Sequence, residues 1–102
     1  MKIVTESQIA NYVDTFGFKR SILGYKYMIS AINIAIQEPT AIERVTKVLY
    51  PAVAKLYDTT VCRAERAMRH SIETCDTYAH GKKPVNSEFI ATAVYYFKYK
   101  ED

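Results

Sequence analysis

The chain has 102 residues, 49% of them hydrophobic and 25% charged, with only three Gly and three Pro. Such a chain buries roughly 60–70% of its unfolded surface, which allows one core but neither a second domain nor a large enclosed active site. A single domain over residues 1–102 is therefore expected, a binding module rather than an enzyme. Its net charge of +3, from 14 basic and 11 acidic residues, does not by itself announce a nucleic-acid binder, so the distribution of charge has to decide.

The longest apolar stretch, Met28 to Ile36, contains Ser30 and Asn33 and falls short of the ~20 residues that cross a bilayer. The start, Met1-Lys2-Ile3-Val4-Thr5-Glu6, lacks the basic region and long apolar run of a secretory leader, so a cytoplasmic location is expected. Cys62 and Cys75 read as lying on one helix thirteen residues apart, ~20 Å at the helical rise, too far to bridge. No Cys-x-x-Cys or His-x-x-x-His spacing is present, and neither a metal nor a cofactor is expected.

Apolar residues recur at three and four rather than at two, which predicts an all-α fold, a compact bundle of about five to six helices. Thr5 and Gln8 fit a capping box, opening a helix over Glu6 to Thr15 with Ile9, Tyr12, Val13 and Phe16 on one face and Gly17 as its stop. A second helix is expected from near Ser21 to before Pro39, burying Tyr25, Met28, Ile29, Ile32 and Ile36. Thr40 and Glu43 suggest another capping box, with Ile42, Val45, Val48 and Leu49 inward, before Pro51 forces a break or a new first turn. Ala52 to Tyr57 then reads as a short helix, Asp58-Thr59-Thr60 as a turn, and Val61 to about Tyr78 as a long helix. Gly81-Lys82-Lys83-Pro84 is a basic loop, and Asn86 or Ser87 is placed to cap a last helix carrying Phe89, Ile90, Ala93, Val94 and Phe97. Residues Lys98 to Asp102 are expected to fray.

On the long helix Val61, Ala64, Met68, Ile72 and Cys75 gather on one side at ~100° per residue, while Arg63, Arg66 and His70 cluster opposite, with Glu65 and Arg69 toward one flank. A charged outer face is ordinary for an amphipathic helix. The short helix and turn in front of it change the reading to a helix-turn-helix over about residues 49–78. Ala54 is the small residue that lets the second helix cross, and Val53, Tyr57, Ala64 and Ala67 supply the contacts between the helices. Asp58 stands in the turn, where Asp tolerates a left-handed backbone. In that motif the first turns of the second helix face base edges in the major groove, where Arg63, Glu65 and Arg66 fall. An Arg can donate twice to a guanine and a carboxylate can accept from a cytosine amino group.

The stretches Thr46-Lys47-Val48-Leu49-Tyr50-Pro51, Ala54-Lys55, Thr59-Thr60, Arg63-Ala64-Glu65-Arg66-Ala67-Met68-Arg69-His70 and Lys83-Pro84-Val85-Asn86-Ser87-Glu88-Phe89-Ile90-Ala91 carry a closer likeness. From about Gly24 to Ala91 the chain resembles the carboxy-terminal DNA-binding domain of the sporulation stage zero master regulators of endospore-forming bacteria. The resemblance implies an all-helical bundle that binds a short asymmetric box in double-stranded DNA, often as tandem copies, and acts on transcription. It aligns Arg63, Glu65 and Arg66 with base-contacting positions and Arg69 and His70 with residues near the DNA backbone. Cys62 stands where the family usually has a Ser that precedes the first recognition Arg, a position beside a backbone phosphate. The connection Asp76 to Lys82 is shorter than the family's, which carries an extra short helix there. Nothing before Gly24 has the length of the family's phosphoacceptor receiver domain, so switching by aspartyl phosphorylation is not expected; the chain reads as either an excised effector domain or a short stand-alone relative, and the shortened connection favours the relative.

Lys82 and Lys83 precede a helix amino terminus and are candidates for a phosphate contact, with a solvated basic loop as the plain alternative. Gly81-Lys82-Lys83 is no nucleotide phosphate loop, because the preceding glycine and following Ser or Thr are absent. His80 reads as a surface histidine, and no nucleophile, base and orienting group stand together. The aromatic end, Tyr95, Tyr96, Phe97 and Tyr99, packs in the core in the plain reading. An exposed subset would instead serve the alternative function, an interaction module that binds RNA polymerase or a full-length regulator, or a homodimer on DNA.

Overall fold

A computed structural model describes residues 4–78 and 80–100 of the chain. The first three residues of the leader reading and the last two of the frayed end lie outside them. Five α-helices, and no strand, are found among the described residues: α1 (Glu6–Asp14), α2 (Gly24–Gln37), α3 (Tyr50–Leu56), α4 (Val61–Thr74) and α5 (Asn86–Tyr99).

The capping box that opens α1 forms as the sequence predicts: the Gln8 amide N–H donates to Thr5 Oγ1 at 3.1 Å and the Thr5 N–H to Gln8 Oε1 at 2.9 Å. Ile9 and Val13 enter the core, while Tyr12 and Phe16 are half-buried among Phe89, Tyr96 and Phe97 of α5. Gly17, at φ +81°, ends this arm in a left-handed turn. Beyond it Asp14 accepts from both Arg20 and the Tyr25 hydroxyl, and the Arg20 guanidinium holds the carboxyl below its usual range.

The central helix α2 begins at Gly24, not at Ser21, and its first residue crosses the backbone of α4. A Cβ at Gly24 would overlap the carbonyl oxygen of Ala67 and lie 2.6 Å from its carbonyl carbon and 2.9 Å from Ser71 Oγ. Met28, Ile29 and Ile32 are buried as expected, together with Tyr27, Ala31 and Ala35; Tyr25 and Ile36 are only half-buried.

Between α2 and α3 the expected capping box at Thr40 and Glu43 does not form. Pro39–Arg44 is a 3₁₀ helix, followed by a π-helical stretch, Val45–Leu49, that runs straight into α3. The Tyr50 N–H reaches back five residues to the Val45 carbonyl. Pro51 has no N–H for the preceding turn and its ring needs the space of the carbonyl four residues earlier; the wider turn meets both demands, so the chain stays helical through Pro51.

Two other boundaries differ from the sequence reading. The long helix stops at Thr74 rather than near Tyr78, because buried Cys75 turns to extended backbone and Asp76–Tyr78 forms a separate 3₁₀ turn. Lys19 Nζ donates to the terminal Thr74 carbonyl at 3.0 Å, and Thr77 donates through its N–H and its hydroxyl to the Phe16 carbonyl. At the start of α5 the capping position belongs to Val85, whose N–H donates to Glu88 Oε1 at 3.0 Å, while Asn86 turns into the core instead of capping.

Replacing Gly24 by Ala pushes α2 and α4 apart at their crossing. We expect a loss of about 2–4 kcal/mol in urea denaturation, whereas Gly81→Ala, with open space around it, leaves the midpoint unchanged within error.

Candidate nucleic-acid interface

Helix α3 ends in a tight turn whose hydrogen bonds are specific: the Thr59 N–H donates to the Ala54 carbonyl at 2.9 Å and the Asp58 N–H to the Lys55 carbonyl at 3.3 Å. This is the six-to-one and five-to-two pairing of a Schellman motif, with Asp58 at the left-handed position, φ 52°. Thr60 then caps α4, its hydroxyl oxygen accepting from the Arg63 N–H at 3.1 Å. Together the two caps leave only four residues between the helices and fix the angle at which α4 departs. Val53, Ala54 and Ala64 are buried at this junction, and Ala67 lies half-buried beneath Gly24. Tyr57 packs on Tyr27 with ring centres 4.8 Å apart, its hydroxyl bonded to Ser30.

The two sides of α4 have opposite characters. Ala64, Met68, Ser71 and Ile72 are buried, with Cys75 just beyond the helix and Val61 half-buried. The Ser71 hydroxyl is satisfied within the helix, donating to the Met68 carbonyl at 2.7 Å. Cys62, Arg63, Arg66, Arg69 and His70 are all exposed. The ion pairs among the described residues are Lys19–Asp76, Arg20–Asp14 and Arg69–Glu65, so Arg63 and Arg66 carry uncompensated charge on the first two turns of the helix.

Glu65 is placed differently from the two arginines. It is half-buried on one flank, and Arg69 Nε holds its carboxylate at 3.3 Å, one turn on. That flank borders a hollow of about 280 Å³ lined by Tyr50, Glu65, Arg69, Ile72 and Lys83 and by the first residues of α5. Lys83 thus borders the α4 flank, and together with Lys82 it also lines a second hollow toward Tyr78, Glu88 and Thr92. Both lysines are exposed, as is Cys62; the second thiol, Cys75, is buried, and both cysteines are free.

Sequence reasoning passed over the side chain that joins these parts. Asn86 Nδ2 donates to the Glu65 carbonyl at 3.1 Å and to the Tyr50 hydroxyl at 3.2 Å. Its signal is present in the sequence as a polar residue on the stripe that continues with Ile90, Ala93 and Phe97, but an Asn at a helix start reads first as a cap.

A short helix, a four-residue turn and a longer helix with a buried apolar side and a cationic outer side follow one another here, the element order of a helix-turn-helix. Residues 9–97 match the family model described as Sporulation initiation factor Spo0A C terminal. The chain belongs to this family, the DNA-binding effector domains of a sporulation regulator, which is a regulatory family and not one of enzymes. No helix among the described residues is long and apolar enough to cross a membrane.

The left-handed residue in the turn is open to direct test. A β-branched side chain at position 58 should cost about 1–2 kcal/mol, so Asp58→Val lowers thermal and urea stability while Asp58→Gly holds or raises it.

Proposed function

We propose that this chain is a sequence-specific regulator of transcription that lays α4 in the major groove of double-stranded DNA. The observation that carries the reading is the pair Arg63 and Arg66, exposed, without a counter-ion among the described residues, and held on the leading turns of a capped helix. A guanidinium not committed to a carboxylate is free to make the two parallel hydrogen bonds that single out guanine.

Arg63, Glu65 and Arg66 are assigned to base edges, with Glu65 accepting from a cytosine amino group. Arg69 spends its Nε on Glu65, which orients that carboxylate and leaves the two terminal nitrogens for a phosphate. Cys62, Arg69, His70, Lys82 and Lys83 are assigned to the DNA backbone. Lys83 and Arg69 share one flank, and at helical spacing His70 falls on the other, which supports a helix gripped by phosphates on both sides of the groove. The work is done in the cytoplasm, where bacterial DNA lies, and needs neither metal nor cofactor.

A second reading rests on a different surface. Tyr95, Tyr96 and Tyr99 are exposed near the end of α5, contrary to the plain expectation that they pack inward, and only Phe97 of the aromatic run is buried. The Tyr95 and Tyr99 rings lie 4.6 Å apart, a ready contact for a protein partner such as RNA polymerase, a full-length regulator or a second copy of the chain.

Fluorescence anisotropy against a duplex bearing the family's short box and a scrambled duplex, over several salt concentrations, separates the two. The box is preferred, and Arg66→Ala removes about 1–3 kcal/mol of that binding with little effect on the scrambled duplex. Lys82→Ala weakens both duplexes alike and lowers the salt slope by about one unit. Equal, salt-sensitive binding of the unaltered chain to both duplexes would sink the base-reading proposal and leave the tyrosine surface as the working one.

A further inference from the structure

Asn86 is 4% exposed and lies among Phe89, Ile90 and Ala93 of its own helix in the core. Its amide nitrogen serves two neighbours, the Glu65 carbonyl in the middle of α4 and the Tyr50 hydroxyl at the start of α3. Its amide oxygen, Oδ1, is buried with no partner. Turning the amide over would not rescue it, because two oxygens would then face each other at Glu65. A side chain kept for packing alone would be apolar here, since a buried acceptor without a donor lowers stability. What Asn86 supplies is a link: one side chain ties both helices of the helix-turn-helix to the first turn of α5.

Only Pro84 and Val85 stand between Lys83 and Asn86. Three residues of chain span at most ~10 Å, so the bond from Asn86 to Glu65 keeps the Lys83 backbone close to α4. Lys83, Glu65, Arg69, Tyr50 and Asn86 line the same hollow. Burial pushes the Tyr50 hydroxyl above the ordinary tyrosine range, and its oxygen accepts from the Asn86 amide.

We infer that Asn86 is a positioning residue that holds Lys83 in register with α4, so that the phosphate grip of Lys83 and the base contacts are made together. The inference rests on the DNA-reading function proposed above. A lysine on a loose loop adds attraction to any duplex. Tied to the backbone of Glu65, it adds most when the base edges in front of α4 also match, and so contributes to selectivity.

The test compares the unaltered chain, Asn86→Ala, Lys83→Ala and the double variant by anisotropy on the box and scrambled duplexes, with thermal unfolding to confirm the fold. Asn86→Ala should lower the box-to-scrambled ratio roughly tenfold, leave scrambled binding within about twofold and leave the salt slope unchanged. Lys83→Ala should reduce box binding more than scrambled binding in the unaltered chain, and both equally once Asn86 is gone. A folded Asn86→Ala that keeps the full ratio, or a Lys83→Ala effect identical in both backgrounds, overturns the inference. Should Asn86→Ala fail to fold, Tyr50→Phe keeps the ring and removes one of the two bonds; the ratio should drop roughly threefold, and an unchanged ratio counts against the link. If the unaltered chain has no preference for the box, the DNA-reading proposal itself fails and the inference falls with it; a preserved preference that ignores Asn86 defeats the inference alone.

Discussion

Everything in this fold is arranged around the place where Gly24 lies against the backbone of Ala67. Helices ordinarily pack 8–10 Å apart because side chains stand between them. With no Cβ at Gly24 and only a methyl group on Ala67, α2 comes close enough for its first turn to meet the carbonyl of α4 directly. Helix α4 is therefore seated on the central helix rather than suspended from the turn in front of it. Ser71, caught in the same crossing, bonds back to its own helix and brings no unmet polar group to it. Since α2 also packs against α1 and α5, a shift at this contact would be passed to every other helix.

This seating lets α4 devote its outer side to charge. Exposed surface ion pairs add little to stability, and among the described residues Arg63 and Arg66 have none. The fold does not need them for cohesion. The Glu65–Arg69 pair sits on the flank next to Lys83, where a carboxylate beside two cations tempers the local field and gives that side a direction the opposite flank lacks. The hydrophobic stripe and the caps at Asp58 and Thr60 carry stability instead.

Much of this was legible in the residues. The inner stripe Ala64, Met68, Ile72 and Cys75, the Thr5–Gln8 box, the left-handed Asp58 and the exposed Arg63, Arg66 and His70 follow from periodicity and local backbone preference. Features set by distant contacts were not legible. The end of α4 depends on Lys19 and Phe16 more than fifty residues away, and the inward turn of Asn86 depends on Tyr50 and Glu65. Pro39–Leu49 misled for another reason: its apolar spacing is helical, but with Pro51 ahead that spacing is spread over a 3₁₀ turn and a π turn, which no 3.6-residue template describes.

The carboxy-terminal end of α4 has a further consequence, for the order in which the chain can assemble. The pairing of α3 with α4 is local, joining residues a few turns apart, and contacts of that kind form early because little loop entropy is lost in making them. The terminal carbonyl at Thr74 and the turn after it are met by Lys19 and Phe16, across 55 and 61 positions of sequence. The helix that faces outward can thus be started by its own neighbours but finished only after the amino-terminal arm has docked. Its leading turns, which bear the arginines, are held by near neighbours and its trailing turn by the distant arm, so looseness in the arm reaches α4 from the far end first.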